Sequence, residues 1–196
     1  MTKRLPSLSG TMSSVPGWES PHSQEIAMTN SREWMSQWLR DAHAMEEQAE
    51  TMLNSQYERL ENYPELRNRI GRHIEETKEQ ARRLEECLER IGGGTSTMKD
   101  AGAKLMATAQ GLSGLFAGDE VMKGSLASYT FEHMEIASYT MLIAAAEKCG
   151  EPEIQRACEQ NLREEQEMAS WLAENLPTVT QRFLAREEQD ADTAKR

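Results

Sequence analysis

Two glutamates stand three residues apart in the stretch FEHMEIASY, residues 131–139. Residues at this spacing lie on one face of a helix, about one turn apart. Glu132 and Glu135 therefore have the spacing to bind the same pair of metal ions, one as a bridging ligand and one as a terminal ligand. Because Phe131 and Tyr139 make the same stretch apolar, the rest of the chain must decide between a metal site and a solvated helix face.

Single glutamates also lie on or beside the apolar stripes of the other predicted helices, each in the middle third of its helix. A buried carboxylate without a partner costs several kcal/mol and normally takes up a proton instead. Five such groups near one level of a core need a cation, and helical bundles hold di-iron or di-manganese centres with carboxylates in this way. The joint pattern predicts a di-metal site with these ligands: Glu46, Glu76, Glu132, Glu135 and Glu165.

Histidine and tyrosine side chains near these glutamates have two interpretations each. His73 precedes Glu76 by one turn and is expected either to reach the site or to make a hydrogen bond to a ligand. His133, beside Glu132, is expected to point away from the inner face. Tyr139 fits core packing, and it also fits donation of a hydrogen bond to a ligand carboxylate.

The elements that must position these side chains are four long helices, because apolar residues recur at spacings of three, four and seven. The first helix is expected to start near Asn30 or Ser31, which can cap it, and Pro177 is expected to close the fourth helix. A short helical piece follows at 178–188. The four predicted helices span about 31–62, 64–91, 119–150 and 152–176.

The fold class that follows is all-α, a ferritin-like four-helix bundle with a long crossover segment. Glycines at 92–94 are expected to end the second helix, and residues 98–116 are interpreted as a shorter crossover helix. The predicted organisation is a flexible N-terminal tail at 1–28, a bundle domain at 29–188 and a charged C-terminal tail at 189–196.

Composition argues against several classes of function. The net charge of −11 disfavours a broad basic surface for nucleic acid. The sequence contains no run of about 18 apolar residues, so no membrane span is predicted. The start of the chain has no apolar segment typical of a secretory signal. Cys87, Cys149 and Cys158 lack metal-binding spacing and are expected to be buried, reduced thiols in a cytoplasmic protein.

Four stretches carry a family resemblance: DAHAMEEQAETML at 41–53, HIEETKEQARRLEE at 73–86, FEHMEIASYTMLIAAAEKCGE at 131–151 and LREEQEMASWL at 162–172. Together they resemble the YciE/YciF ferroxidase-type ferritin-like family over roughly residues 31–176. The resemblance implies a ferritin-like bundle that is usually a homodimer, a di-iron site and an association with bacterial stress responses.

On matching positions the resemblance implies the same five glutamate ligands, with Glu164 next to the last of them. It also implies a supporting role for Gln80, at a position where the family often has His or Gln. The chain departs from the usual ferritin-like ExxH motif at Glu79 and Met168, and Ala169 stands where an acidic residue is expected. The fourth helix is therefore expected to supply a single ligand.

Three functional hypotheses follow. The first is a di-metal carboxylate protein that holds two iron ions, with manganese as the other metal considered, and oxidises Fe(II) with dioxygen or hydrogen peroxide. The second is a metal-free helical bundle that serves as a stress-protective or interaction scaffold. The third is peroxide disproportionation by a manganese catalase-like site, and it ranks last because the expected histidines are not evident.

Overall fold

The computed structural model describes residues 21–92 and 119–193, and side chains within 28–92 and 119–189. These residues form four helices and no strand, which confirms the all-α four-helix bundle. The helices are α1, Pro21–Tyr57; α2, Pro64–Arg90; α3, Glu120–Cys149; and α4, Pro152–Thr193. The crossover helix expected at 98–116 lies outside the described residues, as do the first twenty residues of the expected tail.

The boundaries of α1 differ from the prediction at both ends. The expected start near Asn30 is wrong, because α1 begins at Pro21, and proline is favourable at the first helical position. The expected end near Asn62 is also wrong. The chain leaves the helix after Tyr57 and turns so that Leu60 and Tyr63 are buried, and the Tyr63 N–H donates to the Leu60 carbonyl at 2.9 Å.

The end of α4 is a second correction, because the helix continues through Pro177 to Thr193. Proline inside a helix removes one backbone donor and leaves the carbonyl four residues earlier without its partner. Here that residue, Ala173, is exposed, so water can satisfy its carbonyl. Val179 and Phe183 then pack against the core and stabilise the continued helix.

Ion pairs at the two ends of the bundle define the direction of each helix. Arg32, near the start of α1, pairs with Glu151 in the α3–α4 turn at 2.8 Å, and Arg59, just after α1, pairs with Glu120 at the start of α3 at 3.2 Å. Arg90 ends α2 and lies 3.7 Å from Glu151. The end of α2 and the start of α3 are therefore at opposite ends of the bundle, as a long crossover connection requires.

Neighbouring helices pack as two hairpins, α1 with α2 and α3 with α4, and the hairpins meet through α1–α3 and α2–α4 contacts. The tight α3–α4 turn uses Gly150, whose φ of 69° is in the left-handed region that favours glycine. The three cysteines are buried and unbonded, as expected. Among the described residues, no helix combines the length and the apolar character needed to cross a membrane.

Candidate metal centre

A layer of polar side chains crosses the apolar core at the middle of the bundle. Its members share almost complete burial, with at most 1% of each residue exposed. Their spacings of three and four residues keep them on the inner face of each helix. They are Glu46 on α1; His73, Thr77 and Gln80 on α2; Glu132, Glu135 and Tyr139 on α3; and Asn161 and Glu165 on α4.

His73 is at the centre of the layer and contacts carboxylates from both sides. Its Nε2 atom lies 3.0 Å from Glu132 Oε2 and 3.4 Å from Glu165 Oε2, and its Nδ1 atom lies 2.8 Å from Glu76 Oε2. One ligand atom from each of His73, Glu132 and Glu165 lies within 4.8 Å of the other two. This group brings one imidazole nitrogen and two carboxylate oxygens from three helices close enough to hold one metal ion.

Two further hydrogen bonds orient the remaining carboxylates. The Tyr139 hydroxyl donates to Glu46 Oε1 across α3 and α1, and the Gln80 side-chain amide donates to Glu165 Oε1 across α2 and α4. Side chains from all four helices are thereby joined at one level of the bundle.

Three carboxylate oxygens of the layer are buried without a hydrogen bond in the described part of the chain: Glu46 Oε2, Glu135 Oε1 and Glu165 Oε2. Of these, Glu165 Oε2 has the 3.4 Å contact with His73 Nε2. Buried polar atoms in folded proteins nearly always have a partner, and leaving one without a partner costs about 1–3 kcal/mol. A cation bound by these oxygens would provide that partner. The residues present therefore fit a metal site by the chemistry of their donors.

Burial and mutual repulsion govern the protonation of the layer. Burial raises the pKa of Glu132 to about 8, against the lowering effect of His73. Burial, reinforced by the charge of Glu165, raises the pKa of Glu46 and of Glu135 well above the usual range. Burial also opposes ionisation of Glu165, but hydrogen bonds from His73, Glu132 and Glu135 outweigh it and lower its pKa.

The pKa of His73 completes this balance. Burial by itself lowers the pKa of the imidazole, but the charge of Glu132 and a hydrogen bond to it raise that pKa well above its usual value. The layer thus pairs the His73 imidazolium with a carboxylate, while neighbouring carboxyls retain protons. Metal ions compete with protons for such ligands, so a bound cation would displace these protons.

Comparison with known proteins places the chain in a family. Residues 30–185 match DUF892, described as a domain of unknown function. The chain belongs to the DUF892 family. DUF892 is a member of the ferritin-like superfamily, in agreement with the four-helix fold.

Two solved structures resemble this DUF892 chain. A protein from Xanthomonas campestris pv. campestris has a TM-score of 0.70 and 43% identity, over 81% of this chain and 99% of that chain. YcfI from Rhodopseudomonas palustris, described as a candidate structural protein, has a TM-score of 0.61 and 28% identity, over 73% of this chain and 92% of that chain. Both similarities cover more than two thirds of this chain.

Glu76 and Glu164, two acidic residues that the sequence placed at or beside the metal site, lie at the edge of the polar layer. The Glu76 side chain is 33% exposed, and its Oε2 atom accepts from Arg69 at 3.0 Å as well as contacting His73. The hydrogen bond from His73, with help from Arg69, lowers the pKa of Glu76 to about 2. Glu164 accepts two hydrogen bonds from Arg83, at 2.8 and 2.9 Å.

Glu76 also lines a surface cavity of about 670 Å³, together with Glu164 and Arg83. The edge of the layer is therefore accessible to solvent, whereas its centre is buried. His133 is exposed, as predicted, and its ring stacks edge-on against Tyr129. Met168 and Ala169 are buried apolar residues, and on α4 the carboxylate of the layer comes from Glu165.

Sequence reasoning missed the two residues that support Tyr139. Asn161 is completely buried, and its amide donates to the Tyr139 hydroxyl at 2.9 Å; Arg83 in turn donates to the Asn161 side-chain oxygen. One signal pointed to Asn161, because it stands four residues before Glu165 on the inner stripe of the fourth helix. Arg83 gave no such signal, since it lies beside the stripe among several charged residues.

Proposed function

We propose that this protein is a YciE/YciF ferroxidase-type member of the ferritin-like superfamily, which binds two iron ions and oxidises Fe(II) with dioxygen or hydrogen peroxide. The observation that carries the proposal is the set of buried carboxylate oxygens at Glu46, Glu135 and Glu165 that make no hydrogen bond to any described residue. Beyond the effect of burial, the charge of Glu165 raises the pKa of both Glu46 and Glu135, so these three carboxyls are close enough to act on the same cations.

The ligand set favours iron or manganese, which bind mixtures of carboxylate and imidazole. His73, Glu132 and Glu165 would hold one ion, and Glu46 and Glu135 supply the remaining oxygens for a second ion. Bound iron would contribute one-electron redox chemistry. The protein contributes five charged or titratable ligands, a dry apolar surrounding and hydrogen bonds that fix two of the carboxylates.

The direct test is anaerobic Fe(II) titration of the purified chain, followed by addition of hydrogen peroxide or dioxygen. We expect saturation at about two iron ions per chain and an increase in near-ultraviolet absorbance on oxidation. Saturation below about one ion per chain, without an absorbance change after either oxidant, would contradict the proposal. Manganese loading in a parallel sample tests which of the two metals the site prefers.

A metal-free structural role is the second candidate, and the hydrogen bonding of Glu165 favours it. Glu165 lies 3.4 Å from His73 and accepts a hydrogen bond from Gln80, so an imidazole and an amide already compensate part of the buried charge. Thermal unfolding with and without Fe(II), Mn(II) or Co(II) separates the two candidates. A specific core site raises the melting temperature through binding linkage, whereas a structural scaffold is indifferent to these ions.

The proposal extends to a homodimer in the bacterial cytoplasm with a role in stress response, supported by the resemblance to YciE/YciF. An exposed apolar surface on α1 and α3 is available for a second copy, because Trp34 and Leu126 are each 60% exposed and Met141 is 52% exposed. Light scattering after size-exclusion chromatography tests the stoichiometry. A monomer at micromolar concentration would contradict this part of the proposal.

A further inference from the structure

A row of hydrogen bonds leaves the polar layer at Glu46 and crosses the bundle to Arg83. Tyr139 donates to Glu46 Oε1, Asn161 Nδ2 lies 2.9 Å from the Tyr139 hydroxyl, and Arg83 Nη1 contacts Asn161 Oδ1. The row includes one side chain from each of the four helices. Asn161 also lies 3.5 Å from the Gln80 carbonyl, so its amide is held against the α2 backbone.

Arg83, together with the more distant Gln80 carbonyl, determines the direction of every hydrogen bond in this row. A guanidinium group only donates hydrogen bonds, so the atom of Asn161 that faces Arg83 must be the accepting Oδ1. The Asn161 NH₂ group then faces Tyr139 and donates to the hydroxyl oxygen. The hydroxyl proton is therefore directed away from Asn161 and onto Glu46 Oε1.

Arg83 is itself held rigidly enough to maintain this order. Both of its terminal nitrogens donate to Glu164, at 2.8 and 2.9 Å, and only 11% of its side chain is exposed. A bidentate contact between arginine and a carboxylate restrains the plane of the guanidinium. The contact with Glu164 at the edge of the layer therefore restrains Arg83, and Arg83 in turn orients Asn161 and Tyr139 toward the centre of the layer.

We propose that Arg83 and Asn161 are positioning residues that direct the Tyr139 hydroxyl onto Glu46 Oε1 and thereby reserve Glu46 Oε2 as the single metal-binding oxygen of that carboxylate. Within residues 21–92 and 119–193, Glu46 Oε2 is the oxygen of this carboxylate that has no hydrogen-bond partner. The inference rests on the proposed di-metal function for its ligand, but the hydrogen-bond order can be tested without metal.

The metal-free experiment follows the Tyr139 hydroxyl proton by NMR in the full-length chain. A buried hydroxyl that donates to a carboxyl exchanges slowly and resonates downfield, and Tyr139→Phe identifies the signal by removing it. Asn161→Asp replaces the donor by acceptors, so the hydroxyl should turn to the new carboxylate and its signal should shift. Arg83→Met should also shift it, because only the 3.5 Å contact with the Gln80 carbonyl then opposes reversal of the Asn161 amide.

Two control variants separate direction from general disturbance of α2. Arg83→Lys keeps a donor toward Asn161 and should retain the wild-type signal. Arg82→Met removes a neighbouring exposed arginine that pairs with Glu79 and Glu86, and it should also leave the signal unchanged. An unshifted signal in both Asn161→Asp and Arg83→Met, with circular dichroism showing folded chains, would overturn the inference.

Cobalt loading tests the metal-binding half of the inference. Visible absorption of Co(II) reports coordination number, and release of Glu46 Oε1 in Tyr139→Phe or Asn161→Asp should let the carboxylate bind through both oxygens and weaken the bands. Arg83→Lys and Arg82→Met should keep the wild-type spectrum. Identical spectra in all variants would overturn this half. A wild-type chain that binds no cobalt would instead overturn the di-metal function, while the NMR result still decides the hydrogen-bond order.

Discussion

Two groups of carboxylates lie at the same level of the bundle and differ in how their charge is balanced. The inner carboxylates belong to Glu46, Glu132, Glu135 and Glu165, and all are at most 1% exposed. The edge carboxylates belong to Glu76 and Glu164, whose side chains are 33% and 21% exposed. The helix α4 supplies one member of each group, Glu165 inside and Glu164 at the edge, so the difference is one of position and partners.

Each edge carboxylate has an arginine partner of its own. Arg69 pairs with Glu76 at 3.0 Å, and Arg83 pairs with Glu164 at 2.8 Å. Among the described residues, the inner carboxylates make their ion pairs with the single cationic side chain of His73. The protein therefore neutralises the edge by itself and leaves the centre in need of protons or a bound cation.

Metal removal should have the largest effect that distinguishes the two groups. A metal ion at about 1,000 times its dissociation constant stabilises the folded chain by about 4 kcal/mol. We expect Co(II) to raise the melting temperature of the wild type, EDTA to reverse the increase, and the double variant Glu132→Gln/Glu165→Gln to lose it. The edge variant Glu164→Gln is the matched control and should keep the increase. If Co(II) raised the melting temperature of the double variant as much as that of the wild type, the inner carboxylates would not differ from the edge carboxylates in metal binding.

The stability of the metal-free chain should fall as pH rises from about 4.5 to about 8. Glu132 has an ordinary pKa of 4.5 and a folded-state pKa of about 8, so the unfolded chain loses this proton first and unfolding becomes easier across that window. His73 acts in the same direction at higher pH, because its raised pKa favours folding below its usual value of 6.5.

The edge does not cancel this pH dependence. The lowered pKa of Glu76 contributes stability that is present above pH 4.5 and is lost as pH falls toward about 2, which is a different window. Urea unfolding at several pH values, with EDTA present, measures the trend. A free energy of unfolding that rises between pH 5 and pH 8 would show that the inner carboxyls are ionised without metal.

Glu135→Gln should stabilise the metal-free chain by about 1–2 kcal/mol at pH 8. In the variant, folding requires neither the uptake of a proton by Glu135 nor the burial of its charged carboxylate without a partner. The gain should shrink at pH 5, where the wild-type carboxyl retains its proton in the folded chain. The same variant should reduce the stabilisation by Co(II). Glu147→Gln, at an exposed position on α3, is the control and should change neither quantity.

The contrast between centre and edge also shows what the sequence could predict. Apolar residues at spacings of three and four predicted the four helices and the inward direction of Glu46, Glu132 and Glu165, because burial follows that period. On α2 the inner position differs from the prediction that Glu76 is a core ligand. His73 and Gln80 lie inside the bundle, and Glu76 lies at its edge.

The remaining features depend on contacts between helices that no local pattern encodes. Arg83 contacts Asn161 from a position 78 residues away, and Tyr139 contacts Glu46 across 93 residues. The periodicity of apolar residues along one sequence carries no information about which distant residues contact each other. Pro177 illustrates the opposite failure, because a strong local signal for a helix end is outweighed by the packing of Val179 and Phe183.

Glu164→Gln should have the smallest effect and should sharpen the definition of the edge. The amide can still accept from Arg83, but the charge-assisted part of the contact is lost, so we expect a cost of about 1 kcal/mol in unfolding free energy. Metal stoichiometry should stay as in the wild type. The Tyr139 hydroxyl signal should shift less than in Arg83→Met, since Arg83 loses part of its restraint at residue 164 but still donates to Asn161. If this variant reduced cobalt binding as strongly as Glu132→Gln/Glu165→Gln, Glu164 would have to be counted among the ligands. Isothermal titration of the two variants side by side makes that decision.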